Sequence, residues 1–256
     1  MIESKQSVQE ASRWLALDTS TATLSVSLLT GEEEEASIQL EANRNHSIQL
    51  LPTVEKLMQE RQWPMSSLDG IAVGKGPGSY TGIRVGVTAA KTLAWALQIP
   101  VIGVSSLHAL ALPHVAEQTE VWVVPVMNGR RGQVYTSLYT HRKQPGLAED
   151  GIRLLDHWLS ELKQRVEAHG ADRISLQFIG EIAPFEQELN GFQQDMSGIA
   201  SVTVQESLMR AKAVGWLGMD QARQDGSSAS AVHTLVPNYT QLAEAEKKLK
   251  AKQKSR

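Results

Sequence analysis

The sequence predicts an α/β chain in which one βββαβαβα unit occurs twice, and three features of the residue pattern point there. Short β-branched runs alternate with longer segments of helical periodicity along the chain after Ser12. A glycine-rich loop, Gly74-Lys75-Gly76-Pro77-Gly78-Ser79, joins one such run to one such segment. The order of elements before Glu117 then returns after it, without evident sequence identity between the copies.

In the first unit, apolar residues 14–17 form a strand that ends in the polar turn Asp18-Thr19-Ser20-Thr21. A β-branched strand follows at 23–29, then Thr30-Gly31 and a third strand at 36–40. Residues 47–60 read as a helix, with Leu50, Leu51, Val54, Leu57 and Met58 in a stripe; Pro52 cannot donate to the ladder and is expected to bend the first turns. A strand at 68–74 enters the glycine loop, and Ser79 is placed to cap a long helix, 80–97. Ile99-Pro100, a buried strand at 101–104 and a helix from Ser105 close the unit. The second unit has strands at 121–127, 133–140 and 151–155, a helix at 157–168, a strand at 174–179, a short helix at 184–189, a strand at 202–204 and a last helix at 206–224.

A duplicated βββαβαβα unit is the topology of the superfamily of actin, sugar kinases and heat-shock chaperones, and it implies a cleft between two like lobes. Residues 13–106 would form the N-terminal lobe and 107–235 the C-terminal lobe, with helix 206–224 packing back on the first. Residues 1–12 are expected to be a disordered extension, and 236–256 a basic tail. In that tail Lys247, Lys248, Lys250, Lys252, Lys254 and Arg256 follow Glu244 and Glu246, a solvated end by default and a source of a few RNA phosphate contacts otherwise.

Hydrophobic residues make up 41% of the chain and charged residues 21%, which suits a folded protein with a real core. With no cysteine, disulfides, thiolate metal sites and cysteine nucleophiles are all excluded. The polar first dozen residues and the lack of any membrane-length apolar run predict a cytoplasmic protein with no membrane partner. A formal charge of -3 supplies no global field for nucleic acid, so any RNA contact is expected to be shared with another chain.

Glycines in the 74–82 loop free backbone N–H groups to face an anion at a helix start, which makes Gly76, Gly78 and Ser79 a phosphate-cradle candidate. Asp18, with Thr19 and Ser20, joins it, because sugar kinases and actins place a phosphate-facing acid at the turn between the first two strands. A plain strand-to-helix turn fits the loop equally well: Ile83-Arg84 stand where a P-loop needs Lys then Ser or Thr, and Ser79 lacks the glycines of a nucleophile elbow. The second-copy counterpart of Asp18 is Asn128, and Asn128-Gly129 reads as a hairpin turn.

Helix 81–97 carries only two charges, Arg84 and Lys91, while Gly82, Gly86, Ala89, Ala90, Leu93, Ala94 and Leu97 cover most of the rest. That is too apolar for a surface helix with one buried stripe. Each of Gly82 and Gly86 costs about 1 kcal/mol relative to Ala, so close approach of another backbone is the expected compensation. Burial inside its own lobe is one reading and a partner helix the favoured one. The predicted partner face is Leu50, Leu51, Val54, Met58, Gly82, Val85, Gly86, Ala89, Ala90 and Leu93. His46 is read as a cap or hydrogen-bonded residue, and no metal site is expected: the seven histidines contain no HExxH, and His108 and His114 are out of helical phase.

Leu15-Ala16-Leu17-Asp18-Thr19-Ser20, His46-Ser47 with Leu51-Pro52, and above all Gly76-Pro77-Gly78-Ser79-Tyr80-Thr81-Gly82-Ile83-Arg84 strongly resemble the TsaB (YeaZ) family. So do Lys91, Pro100-Val101-Ile102-Gly103-Val104-Ser105-Ser106-Leu107, Arg130-Arg131-Gly132-Gln133-Val134-Tyr135 and Pro237-Asn238-Tyr239 with Glu244-Ala245-Glu246. The resemblance implies a non-catalytic subunit that pairs with the homologous TsaD through the two N-lobe helices, forms a homodimer when alone, and works with TsaE. The complex places a threonylcarbamoyl group on N6 of the adenosine 3′ to the anticodon in tRNAs reading codons that begin with A. No intrinsic cofactor is expected; ATP or ADP would sit at the subunit junction. Ser106 and Leu110 align with the histidine pair that holds the TsaD metal. The chain departs from the family at Asn128-Gly129, usually Asp-Ala, and at Thr240-Gln241, usually Leu-Arg. The other readings are a nucleotide-dependent ATPase or phosphotransferase, from the fold and Asp18, and a glycopeptidase-like hydrolase.

Overall fold

The computed structural model describes residues 12–42, 45–116, 120–142, 146–169, 174–225 and 231–240. Residues 1–11 of the N-terminal extension and residues 241–256, which hold Gln241 and all but the first five residues of the tail, lie outside them. The first unit runs β1 (Arg13–Asp18), β2 (Thr23–Thr30), β3 (Glu33–Glu41), α1 (His46–Glu60), β4 (Gly70–Gly74), α2 (Tyr80–Leu97), β5 (Val101–Val104) and α3 (Ser106–Ala111). The second runs β6 (Val121–Arg130), β7 (Gln133–Leu138), β8 (Ala148–Leu154), α4 (Leu155–His169), β9 (Ser175–Gly180), α5 (Glu186–Asp195), β10 (Ser201–Glu206) and α6 (Ala211–Asp225), followed by the short α7 (Ala231–Thr234).

The two sheets have the same plan. One is ordered β3-β2-β1-β4-β5 and the other β8-β7-β6-β9-β10. In each, the first three strands form an antiparallel meander and the last two lie parallel to the first. The duplicated α/β fold expected from the element order is therefore present.

Strand β1 shows how the layers arise. Successive side chains point to opposite faces, so Leu15 and Leu17 enter a core with α1 and α2 while Trp14 and Ala16 enter a second core. That second core contains residues of α3, α6 and both sheets. The C-terminal sheet covers its other face with α4 and α5, through Trp158, Leu162, Leu189 and Phe192. The order of layers is α1/α2, sheet, α3/α6, sheet, α4/α5. Within the middle layer the last helix of each unit packs on the other unit's sheet: α6 lies on β1, β2, β4 and β5, and α3 on β6, β7 and β9.

Several boundaries differ from expectation for local reasons. The last helix starts at Ala211 rather than 206, because β10 continues to Glu206, whose carboxylate accepts the N–H groups of Ile182 and Ala183 at 3.1 and 2.6 Å. The helix begins where Ser25 Oγ accepts the Ala211 N–H at 2.8 Å. The third strand is longer than 36–40, since every residue from Glu33 pairs with β2 except at one bulge. Asn128-Gly129 is not the hairpin turn: β6 runs to Arg130, which pairs with Gln133, and the two-residue turn is Arg131-Gly132 with φ of 53° and 71°.

Gly215 and Gly218 let α6 lie close on the first sheet. A Cβ at Gly218 would stand 2.5 Å from Ala72 Cβ, and one at Gly215 would stand 2.6 Å from Leu29 Cδ1. Overpacking of this kind costs about 1–3 kcal/mol. Gly218→Ala should lower the unfolding free energy by about that amount in urea denaturation; an unchanged midpoint would mean that α6 can lift from the sheet freely.

Candidate functional site

The β1–β2 turn and the glycine loop meet at the end of the first sheet, but they face each other rather than solvent. Asp18 is fully buried. Its Oδ1 accepts the Ser20 N–H at 2.7 Å and the Ser20 hydroxyl at 2.6 Å, and its Oδ2 accepts the Ser106 hydroxyl at 2.7 Å. Ser106 Oγ in turn accepts the Gly76 N–H at 3.2 Å, and the Ser79 N–H donates to Ser20 O at 2.7 Å. Desolvation pushes the Asp18 carboxyl above its ordinary value, opposed by the hydrogen bonds from Ser20 and Ser106. A buried carboxyl so surrounded is satisfied by the protein itself.

The residues read as a phosphate-cradle candidate are mostly turned inward. Asp18, Thr19, Ser20, Gly76 and Gly78 are buried, and of the six residues only Ser79 is exposed. Ser79 caps α2, accepting the Gly82 N–H at 3.3 Å.

The expectation for Gly82 and Gly86 is corrected. A Cβ at Gly82 would collide with the Thr19 backbone oxygen, and one at Gly86 with Thr19 Oγ1. Thr19 Oγ1 also donates to Gly82 O at 2.7 Å. These glycines therefore admit the chain's own β1–β2 turn, not a partner helix, and a bulky residue at Gly86 would strain the lobe itself. Leu50, Val54, Met58 and Ala90 are likewise buried in the core between the first sheet and α1/α2.

The outward remainder of that helix pair is different. Leu51, 52% exposed, and the half-buried Val85, Ala89 and Leu93 line a shallow apolar groove of about 580 Å³ between α1 and α2. Ser47, Tyr80, Thr81, Arg84, Thr88 and Thr92 form its rim. Ile48 and Trp95, 72% and 61% exposed, extend the apolar surface of the same two helices. Sequence reading placed Leu51, Val85, Ala89 and Leu93 on this face but missed Tyr80, whose signal was an aromatic residue at the first position of α2.

A cleft of about 730 Å³ lies between the lobes, lined by Lys75, His108, Tyr139, Arg142, Asp150 and Asp220 among others. Asp150 accepts the Ser105 hydroxyl at 2.5 Å and the Tyr139 hydroxyl at 2.6 Å, which ties the start of α3 to β8. Burial, the Asp150 charge and its hydrogen bond push the Tyr139 phenol up, and burial pushes His108 down. Asn45, not His46, stands at the cap position of α1, and burial lowers the His46 pKa. Ser106 is taken up by Asp18, and Leu110 lies in the central core. Among the described residues no three His, Asp or Glu side chains converge.

The profile of the family described as TsaD, tRNA N6-adenosine threonylcarbamoyltransferase, matches residues 38–249. The tRNA threonylcarbamoyladenosine biosynthesis protein TsaB of Bacillus subtilis is 37% identical over 238 residues, 91% of this chain and 96% of that protein. A tRNA N6-adenosine threonylcarbamoyltransferase of Treponema pallidum is 44% identical over 68 residues, 27% of this chain and 19% of that one. Among solved structures, a Pseudomonas aeruginosa protein described as similar to peptidase YEAZ superposes with a TM-score of 0.69 at 27% identity, covering 90% of this chain and 100% of that one.

The buried carboxyl has a pH signature. Because its folded pKa is raised, the folded state binds the extra proton between the unfolded value, about 3.9, and the higher folded one. Asp18 thus favours folding most at low pH, and this contribution is lost as pH rises through the folded pKa. Asp18→Asn removes that titration, so the stability of the variant relative to the parent should improve as pH rises from about 4 to 8. Denaturation across that range measures it; a pH-independent difference would contradict the raised pKa.

Proposed function

The chain belongs to the TsaB family of tRNA threonylcarbamoyladenosine biosynthesis proteins, and from that premise we propose that it is a non-catalytic subunit docking onto the catalytic subunit TsaD through the α1/α2 face. The observation that carries the reading is the apolar groove between α1 and α2, where Leu51 is exposed and Val85, Ala89 and Leu93 are only half-buried beside a filled core. Apolar residues gathered in one open groove favour a protein partner over solvent.

The 44% identity to a threonylcarbamoyltransferase supports a partner of like fold. Two homologous chains carry equivalent helices, so a pseudo-twofold contact brings the same pair of faces together, and two copies of this chain would meet the same way when alone. The inward closure of the glycine loop supports the non-catalytic part. A phosphotransferase needs its acid beside the phosphate, whereas Asp18 is sealed under Ser20 and Ser106. In this reading TsaE joins the pair, ATP or ADP belongs to the subunit junction, and tRNA is held by the assembled complex in the cytoplasm. No helix among the described residues is long and apolar enough to cross a membrane.

Leu51→Glu puts a charge into the groove without touching the lobe core. Light scattering should show the parent as a dimer and the variant as a monomer, with TsaD affinity reduced about 30-fold or more and an unchanged thermal melt. TsaD with tRNA and threonylcarbamoyl-adenylate should modify tRNA only when the parent chain is added. Undiminished TsaD binding by the variant would refute the docking face, and full modification without the chain would refute its role.

A further inference from the structure

The last described residues fold back along α2. Val232 of α7 is buried in the core beneath α1 and α2, and the Leu235 side chain lies against Gly103 and beside Lys75. From there the chain is held at two main-chain points: Lys91 Nζ donates to Leu235 O at 2.8 Å, and the Asn238 N–H donates to Lys75 O at 2.7 Å. It ends with the Tyr239 ring 5.0 Å from the Tyr80 ring. The Arg84 guanidinium sits 5.2 Å over the same Tyr80 ring and donates to its hydroxyl at 3.1 Å.

Two points give this arrangement a function beyond tying down a chain end. Both charged side chains of α2, Arg84 and Lys91, serve it. Tyr80 and Arg84 also form the rim of the apolar groove, so the clasp and the groove share a border. Tyr239 and Tyr80 keep 42% and 46% of their surface exposed, which leaves an aromatic edge continuous with the groove. Tyrosine and arginine so placed are favoured anchors at protein interfaces.

We propose that residues 235–239 form a clasp that positions Tyr80 and Arg84 and adds Tyr239 itself to the docking face for a partner subunit of the same fold. This rests on the docking reading above. The clasp fixes the rim before the partner arrives, so less ordering accompanies binding.

The test uses the full chain and purified TsaD as the probe, with affinity from calorimetry and fold from thermal melting. Tyr239→Ala should weaken TsaD binding about tenfold with an unchanged melting temperature, while Tyr239→Phe, which keeps the ring pair, should stay within about twofold of the parent. Wild-type affinity in Tyr239→Ala beside lost affinity in Leu51→Glu overturns the clasp and leaves the docking face standing. Wild-type affinity in both overturns the docking face and the clasp with it. Weak binding by Tyr239→Ala beside full binding by Leu51→Glu overturns the groove as the docking face and, with it, the clasp as the border of that groove. Hydrogen exchange on the unsubstituted chain adds a measurement independent of folding: the Val236 and Tyr239 amides should gain protection when TsaD binds, and unchanged exchange there overturns the clasp.

Discussion

A carboxyl group with no access to water governs this end of the molecule. Burying Asp18 without donors would be costly, because an unpaired buried charge loses its hydration with nothing in return. Three donors meet it, two from Ser20 in the same turn and one from Ser106 at the start of α3. Supplying the Ser106 donor draws α3 against the glycine loop, where Ser106 also accepts the Gly76 N–H. The loop then delivers α2 onto the β1–β2 turn, and the fit closes at Gly82 and Gly86, where only a hydrogen leaves room for Thr19. With that inner face settled, Val85, Ala89 and Leu93 can only turn outward beside α1, so the groove follows from the buried acid.

The exchange of α3 and α6 has a similar consequence at larger scale. Each sheet needs apolar cover on two faces, and each finds half of it in a helix belonging to the other unit. The lobes are therefore joined through a shared middle core, beside the core that each builds with its own outer helices. The polar tie from Ser105 and Tyr139 to Asp150 adds a second seam across the cleft. A chain in which the first lobe depends on its last helix also brings its C-terminal segment back over α2, which is how residues far apart in sequence come to border one groove.

At the end of the first sheet the β1–β2 turn is filled by the chain's own hydroxyls, while the α1/α2 pair keeps an apolar surface that its own lobe does not cover.

Much of the fold was legible in the residues. The apolar run of β1, the alternation of β2, the helical stripe of α1 and the Ser79 cap all act locally, over spans where neighbouring side chains decide the outcome. The family resemblance rested on several short segments taken together, the run from Gly76 to Arg84 above all. The direction in which that motif faces was not legible. Asp18 is turned inward by Ser106, 88 residues away, and Gly82 and Gly86 by Thr19, which the sequence separates from them by a helix and three strands. A helix apolar on nearly every side carries no internal sign of which side its own sheet will take. The hairpin at Arg131-Gly132 shows the same limit, since Asn128-Gly129 had the better turn chemistry but the register with β7 placed the turn later. Sequence alone determined which elements form, because local sterics and patterning set them; only the tertiary structure decided which faces were buried, because that depends on donors and surfaces supplied from distant parts of the chain.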